Sequence, residues 1–252
     1  MTLRVRIRCG TPPVTLTGVA DDPRDASPRR APADVPDAPK ARTRIVLLAG
    51  PSGSGKSSLA ALLGVPSVSL DDLYRDADDA ALPHLDLPGP DGQRLVDWDD
   101  PRSWDAERAL TALLELATTG TVELPVYDIP TSRATGVHRI DAGDAPLVVA
   151  EGIFAAELVH ACRDAGILAD AICLTLPPHV TFRRRLVRDL REGRKPPLTL
   201  LRRGLALRRA EPYIVARQIA LGAEPMSPED AVRRLRDLRN ELLAAGMDDR
   251  AA

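Results

Sequence analysis

The sequence predicts an α/β fold in which a parallel sheet carries helices on both faces, with a small β-hairpin excursion and a helical lid. Short continuous apolar runs, such as Ile45-Val46-Leu47-Leu48-Ala49, read as strands covered on both sides. They alternate with stretches of helical period, the pattern of βαβ units. The first run also passes through a Gly-rich turn directly into a helix start, Ser57 to Leu63.

Along the chain, Leu3 to Arg8 alternates apolar and basic residues, as an edge strand or as extra sequence ahead of the domain. Thr11 to Lys40 holds seven prolines among many Asp and Arg, with no apolar period. Such a segment buries too little apolar surface to offset its ordering entropy, so residues 1–40 are expected to be a disordered extension and 41–252 the folded domain. After Leu63, Val65 to Leu70 reads as a second strand ending at Asp71-Asp72, and Ser103 to Thr118 has helical period. Thr121 to Ile140 mixes β-branched and turn residues and predicts a hairpin. Pro146 to Ala150 and Ala169 to Leu176 read as buried strands, with a helix from Phe154 to Ala165 between them. Thr181 to Arg194 is a strongly basic helix stopped near Gly193 and Pro196-Pro197. Leu198 to Arg209 then predicts a lid helix on that hinge, closing to exclude water. Ala216 to Leu221 is assigned as a last strand and Pro228 to Ala245 as a closing helix.

The charge balance narrows the function. Across 252 residues, 34 basic and 36 acidic side chains leave a net charge of -2, so no global field exists to hold nucleic acid or an anionic membrane. No stretch approaches the roughly 18 apolar residues of a membrane span. Cys9, Cys162 and Cys173 lie far apart without a CxxC pair. That spacing argues against zinc and disulfides and for a reducing cytoplasm. Only three of the 34 basic residues are lysines, and one of them is Lys56.

Lys56 ends the strongest signal. Gly50-Pro51-Ser52-Gly53-Ser54-Gly55-Lys56-Ser57 matches G-x-x-x-x-G-K-[ST], between a predicted strand and a predicted helix as the motif requires. Glycines let backbone N–H groups turn inward, and the helix N-terminus, where Ser58 follows, adds partial positive charge. Together they cradle phosphates. Lys56 reaches toward the β- and γ-phosphates of ATP, and the Ser57 hydroxyl ligates Mg²⁺. The fold is thus of P-loop NTPase type. No N-K-x-D is present, which argues against a GTPase. Asp71-Asp72 and Glu151 follow strands, and in open α/β sheets ligands bind beyond the strands' carboxyl ends. Phosphoryl transfer to a hydroxyl needs such carboxylates, one for the acceptor and others around Mg²⁺. Taken singly, each reads equally well as a helix cap or a solvated loop residue.

Leu70-Asp71-Asp72-Leu73-Tyr74-Arg75, Asp97-Trp98-Asp99-Asp100-Pro101-Arg102-Ser103-Trp104-Asp105, Pro125-Val126-Tyr127-Asp128 and Glu151-Gly152-Ile153 follow the loop in order. Together with the basic Arg184 to Asp189 segment, they resemble the uridine kinase family over roughly Arg44 to Leu221. The wider relatives of that family include phosphoribulokinase and pantothenate kinase. The resemblance implies an ATP- and Mg²⁺-dependent kinase for a small-molecule acceptor, a nucleoside, in a group whose members are often homo-oligomers. It implies that Asp71 is the general base (Asp72 a substitute), that Asp99 holds ribose hydroxyls, and that Tyr127 lines the nucleoside pocket. It places Glu151 near Mg²⁺ and makes Arg185, Arg188 and Arg194 cationic groups at acceptor and phosphates, with Arg188 catalytic. Arg133 matches the family's terminal arginine in Y-D-x-x-x-H-x-R. Here, however, that segment is one residue shorter and lacks its histidine, the nearest being His138. The glutamine of the lid helix is also absent.

Bland readings stand beside these. Trp98 and Tyr127 also suit core positions, an arginine-rich helix is most often a solvated face, and Asp189 could pair with Arg185. Three functions stay open: a uridine or cytidine kinase, a kinase for another small hydroxylated acceptor, and a nucleotide-binding regulator.

Overall fold

The computed structural model describes residues 41–88, 94–191 and 197–251. The expected extension, residues 1–40, lies outside them, as do Gly193, Arg194 and Pro196 of the expected hinge. The core of the fold is a five-stranded sheet, all parallel. Its order is β2 (Ser67–Ser69), β7 (Leu147–Glu151), β1 (Arg44–Ala49), β8 (Leu168–Leu174) and β9 (Glu224–Met226).

β1 is buried along nearly its whole length, and its alternating side chains feed two separate cores. Val46 and Leu48 join Leu59 and Leu63 of α1 (Lys56–Leu63) and Ala231 and Leu235 of α6 (Pro228–Ala251). Ile45, Leu47 and Ala49 face the other way, onto Leu113 and Leu116 of α2 (Ala106–Thr119) and Val159 and Cys162 of α3 (Val159–Asp164). This period of two explains why the strand reads as unbroken apolar sequence. Each fully buried leucine here contributes roughly 1.5–3 kcal/mol.

Two hairpins leave this frame. β3 (His84–Pro88) pairs with β4 (Arg94–Val96), an excursion the sequence did not reveal. β5 (Thr121–Asp128) pairs with β6 (Arg133–Asp141) where a hairpin was expected. α4 (Pro178–Arg191) is the basic helix, and α5 (Pro197–Ala220) follows it.

Two assignments change. Ala216 to Leu221 is not a strand: it completes α5, and the sheet's last strand is β9. So short an apolar window fits a buried helix end as well as a strand. Gly222, with φ +97°, follows directly as a left-handed stop. The expected lid helix, Leu198 to Arg209, is only the first half of α5, which runs through Pro212. The segment from Phe154 opens as a 3₁₀ turn, Ala155–Leu158, before α3.

Candidate active site

The loop between β1 and α1 turns on three glycines in left-handed or mirror-β backbone: Gly50 (φ +143°), Gly53 (φ +87°) and Gly55 (φ +99°). A side chain at Gly50 would also lie 2.9 Å from the Leu174 carbonyl, and one at Gly53 2.7 Å from the Thr181 carbonyl. The loop is therefore closed from outside by β8 and α4, and its backbone follows the path a phosphate cradle requires. Lys56, buried, lies across it and donates to the Gly50 carbonyl at 2.9 Å. Ser54 Oγ is fully buried with no hydrogen-bond partner. Ser52 is half-buried, and Ser57 and Ser58 sit exposed on the first turn of α1.

Acidic groups arrive from the neighbouring strands. The Ser57 hydroxyl donates to Glu151 Oε1 at 2.5 Å, joining the loop to the end of β7. Burial pushes the Glu151 carboxyl above its usual range, against the lowering pull of Lys56 and the Ser57 hydroxyl. Asp71 stands on the 3₁₀ turn Leu70–Leu73 after β2 and accepts the Ile153 N–H at 3.0 Å. Gly152 makes that approach possible, since a Cβ there would lie 3.0 Å from Asp71 Oδ1. Asp72 points elsewhere: the Tyr127 backbone N–H and the Ser69 hydroxyl bond it. Burial nevertheless holds its carboxyl above the ordinary range, with His138 acting in the opposite sense. Asp71 and Glu151 thus share the loop's edge, whereas Asp72 anchors the hairpin.

α4 packs its other side onto the same loop. Arg185, buried, donates to the Ser52 carbonyl at 2.6 Å, and Arg188 reaches Ser52 Oγ at 3.4 Å while pairing with Asp189. The Arg184 guanidinium comes within 3.4 Å of the space beside Gly55. With Arg183, Val187 and Arg191, Arg184 and Arg188 line a groove of about 620 Å³.

The turns after β2 and β7 also carry an aromatic cluster. Tyr74 sits about 6 Å, ring centre to ring centre, from Trp98, Tyr127 and Phe154. Trp104 closes the cluster against Phe154 and donates its indole N–H to the Leu70 carbonyl at 2.7 Å. The Tyr127 hydroxyl donates to the Arg75 carbonyl at 3.0 Å.

A family profile, Phosphoribulokinase / Uridine kinase family, matches residues 45–195, more than half of the chain and all of the geometry above except α5. The chain belongs to this family. Among curated proteins, it is 30% identical over 161 residues to inorganic pyrophosphatase TTM2 of Arabidopsis thaliana, covering 60% of this chain but 21% of that protein. A uridine kinase of Schizosaccharomyces pombe is 30% identical over 168 residues, covering 60% and 33% of the two chains. A uridine kinase of Macrococcus caseolyticus is 29% identical over 159 residues, covering 60% and 71%. The chain therefore spans a fifth to a third of the first two relatives.

Within this member of the phosphoribulokinase/uridine kinase family, the residues expected from sequence divide into two groups. Lys56, Ser57, Glu151, Asp71, Arg185 and Arg188 converge on the loop. Asp99 is exposed on the turn before the 3₁₀ segment Pro101–Ser103, where its N–H donates to Asp97, while neighbouring Asp100 pairs with Arg102, which holds its carboxyl below the usual range. Arg133 is engaged by Asp78 at 2.8 Å on the exposed rim of the hairpin. Arg194 lies outside the described residues.

Sequence reasoning passed over Tyr74 and Phe154 as members of this aromatic cluster. The Asp-Asp-Leu-Tyr spacing could have flagged Tyr74, because the 3₁₀ turn returns it beside the acids. Nothing local marks Phe154.

The donor set suits Mg²⁺ with a triphosphate: a glycine cradle, an orphaned buried hydroxyl at Ser54, and a hydroxyl–carboxylate pair at Ser57 and Glu151. Among the described residues, no group of three or more His, Cys, Asp or Glu could enclose an ion. Mg²⁺ held mainly by phosphates and water does not need one. No helix among the described residues is long and apolar enough to cross a membrane.

Proposed function

We propose that this chain is a cytoplasmic kinase that transfers the γ-phosphoryl group of ATP to the 5′-hydroxyl of a nucleoside, with uridine and cytidine the leading acceptors. The observation that carries this reading is that Asp71 and Glu151 meet at the ends of adjacent strands, Glu151 bonded to Ser57 of the phosphate loop and Asp71 to the turn that follows Glu151. Residues 41–252 form the kinase domain, and residues 1–40 an extension to it.

In this reading, Asp71 orients the acceptor hydroxyl and takes its proton as the oxygen attacks the γ-phosphorus and the bond to ADP breaks. The Ile153 N–H fixes the Asp71 carboxylate beforehand, so little rearrangement is required. Lys56, Arg185, Arg188 and Arg194 meet the charge spread over the phosphate oxygens. Ser57 and Glu151 would hold Mg²⁺, which would supply positive charge to offset that of the phosphates. Asp99 holds the ribose hydroxyls, and the cluster around Tyr74 and Tyr127 supplies flat apolar walls for a base.

A second reading, a different small hydroxylated acceptor, is favoured by the hairpin turn. Asp128 to Arg133 carries no histidine, and His138 sits back in β6, in register with Leu124. A site that lacks a donor to a base edge loses discrimination for that base.

The test is a mass-spectrometric turnover screen with ATP and Mg²⁺ against single nucleosides, sugar and vitamin alcohols. Phosphorylated uridine or cytidine is the expected product. A different phosphorylated acceptor retires the substrate and keeps the mechanism. ADP with no phosphorylated acceptor across the panel overturns the nucleoside assignment.

A further inference from the structure

Two buried polar side chains of α5 have no part in the chemistry above. Glu211 is 2% exposed and Gln218 4% exposed. They are seven residues apart, two helical turns, and so share one face about 10 Å apart along the axis. Pro212 removes the hydrogen bond back to residue 208 and crowds that carbonyl, so the bend it imposes falls on the preceding turn. The two turns that join Glu211 to Gln218 remain an unbroken helical segment.

Each residue touches one half of the active site. Glu211 Oε2 accepts the Thr181 hydroxyl at 2.6 Å. Thr181 is the α4 residue whose carbonyl presses on Gly53, one turn before Arg185 grips Ser52. Gln218 donates from Nε2 to the Ile153 carbonyl at 2.8 Å and accepts from Cys173 Sγ at 3.0 Å. Ile153 is the residue whose N–H holds Asp71. One rigid segment therefore bonds to the support of the phosphate loop at one end and to the support of the base at the other. An apolar contact would anchor the helix with less desolvation cost; a directed hydrogen bond adds a fixed position.

We propose that Glu211 and Gln218 are positioning residues through which α5 couples the two halves, so that filling the phosphate loop further steadies the existing Ile153–Asp71 contact. This rests on the reading of the loop as the nucleotide site and Asp71 as the base. Loss of either tie uncouples the halves without removing any group that touches substrate.

Amide hydrogen exchange on the full chain tests it, with a non-hydrolysable ATP analogue and Mg²⁺ as probe. In wild type, the analogue slows exchange at residues 152–154. In Gln218→Met, exchange there is about tenfold faster without any ligand, and analogue affinity is unchanged. In Glu211→Ala, the analogue still binds but no longer slows exchange at residues 152–154. Glu211→Gln, which keeps an acceptor for Thr181, restores the response. The Glu211 pair reads out at a distance and decides the matter even where Gln218→Met fails to fold. Binding of the analogue to wild type with no change at residues 152–154 overturns the coupling alone. No binding to wild type overturns the nucleotide reading, and the coupling with it.

Discussion

The phosphate loop and the proposed acceptor half of this site are built by different means. The first is one contiguous octapeptide, Gly50 to Ser57, whose shape comes from backbone torsions that glycine permits and from tight packing by α4 and β8. The second is gathered from four separate stretches: the turn after β2, the Trp98–Trp104 segment, β5, and the turn after β7. A site made of backbone tolerates few changes at few positions. A site made of side chains on loops spreads its tolerance over many residues, which lets an acceptor pocket diverge while the phosphate chemistry stays fixed.

Substitutions sharpen that contrast. Asp71→Asn removes the proposed general base and should lower kcat by about 10²–10⁴-fold. Steady-state kinetics should show the KM for ATP holding within about threefold; a loss of turnover under about tenfold removes Asp71 as the base. Gly53→Ala attacks the backbone half. Its Cβ meets the Thr181 carbonyl at 2.7 Å with φ at +87°, a strain of about 1–3 kcal/mol. Calorimetry should show a lower Tm and weaker binding of an ATP analogue.

Tyr74→Ala opens the aromatic cluster. It should raise the acceptor KM about tenfold and leave the ATP KM within about twofold. An equal rise in both constants would mean that the two halves are not separable.

Glu151→Gln probes the seam between them. Burial raises the carboxyl's pKa in the fold, so the folded state favours the protonated acid. Stability is then lost as pH climbs from the ordinary glutamate range through the elevated folded value. The amide removes that loss. Tm at neutral pH should rise with turnover lowered, and the gain should vanish in acid, by thermal melts across pH. Arg133→Ala should change the acceptor KM by less than about twofold, because its pairing with Asp78 is solvent-exposed.

The same division governs what could be read from the sequence. The loop was legible in full because its requirement is local: glycines at fixed offsets between a strand and a helix. The central strands β1, β7 and β8 were legible for a similar reason, since burial on both faces leaves an apolar run, whereas the exposed three-residue strand β9 was not. The pocket was only partly legible. Asp71 and Tyr127 stood in recognisable blocks, but the meeting of Tyr74 with Phe154 depends on two strand ends becoming neighbours, which local pattern does not encode. Glu211 and Gln218 left no trace, because an isolated polar residue in a helix looks solvated until its neighbours are known. The end of α5 was misread because six residues carry too little period to separate helix from strand.

The hairpin of β5 and β6 is closed at its base by a bond from the Ala142 N–H to the Gly120 carbonyl, at 2.8 Å. Its two ends are thus held together before the chain resumes toward β7. Evolution could lengthen, shorten or exchange everything between those two residues and hand the chain back at the same place and heading. A lineage could in this way acquire a new substrate as a cassette, inheriting its phosphate-handling machinery intact.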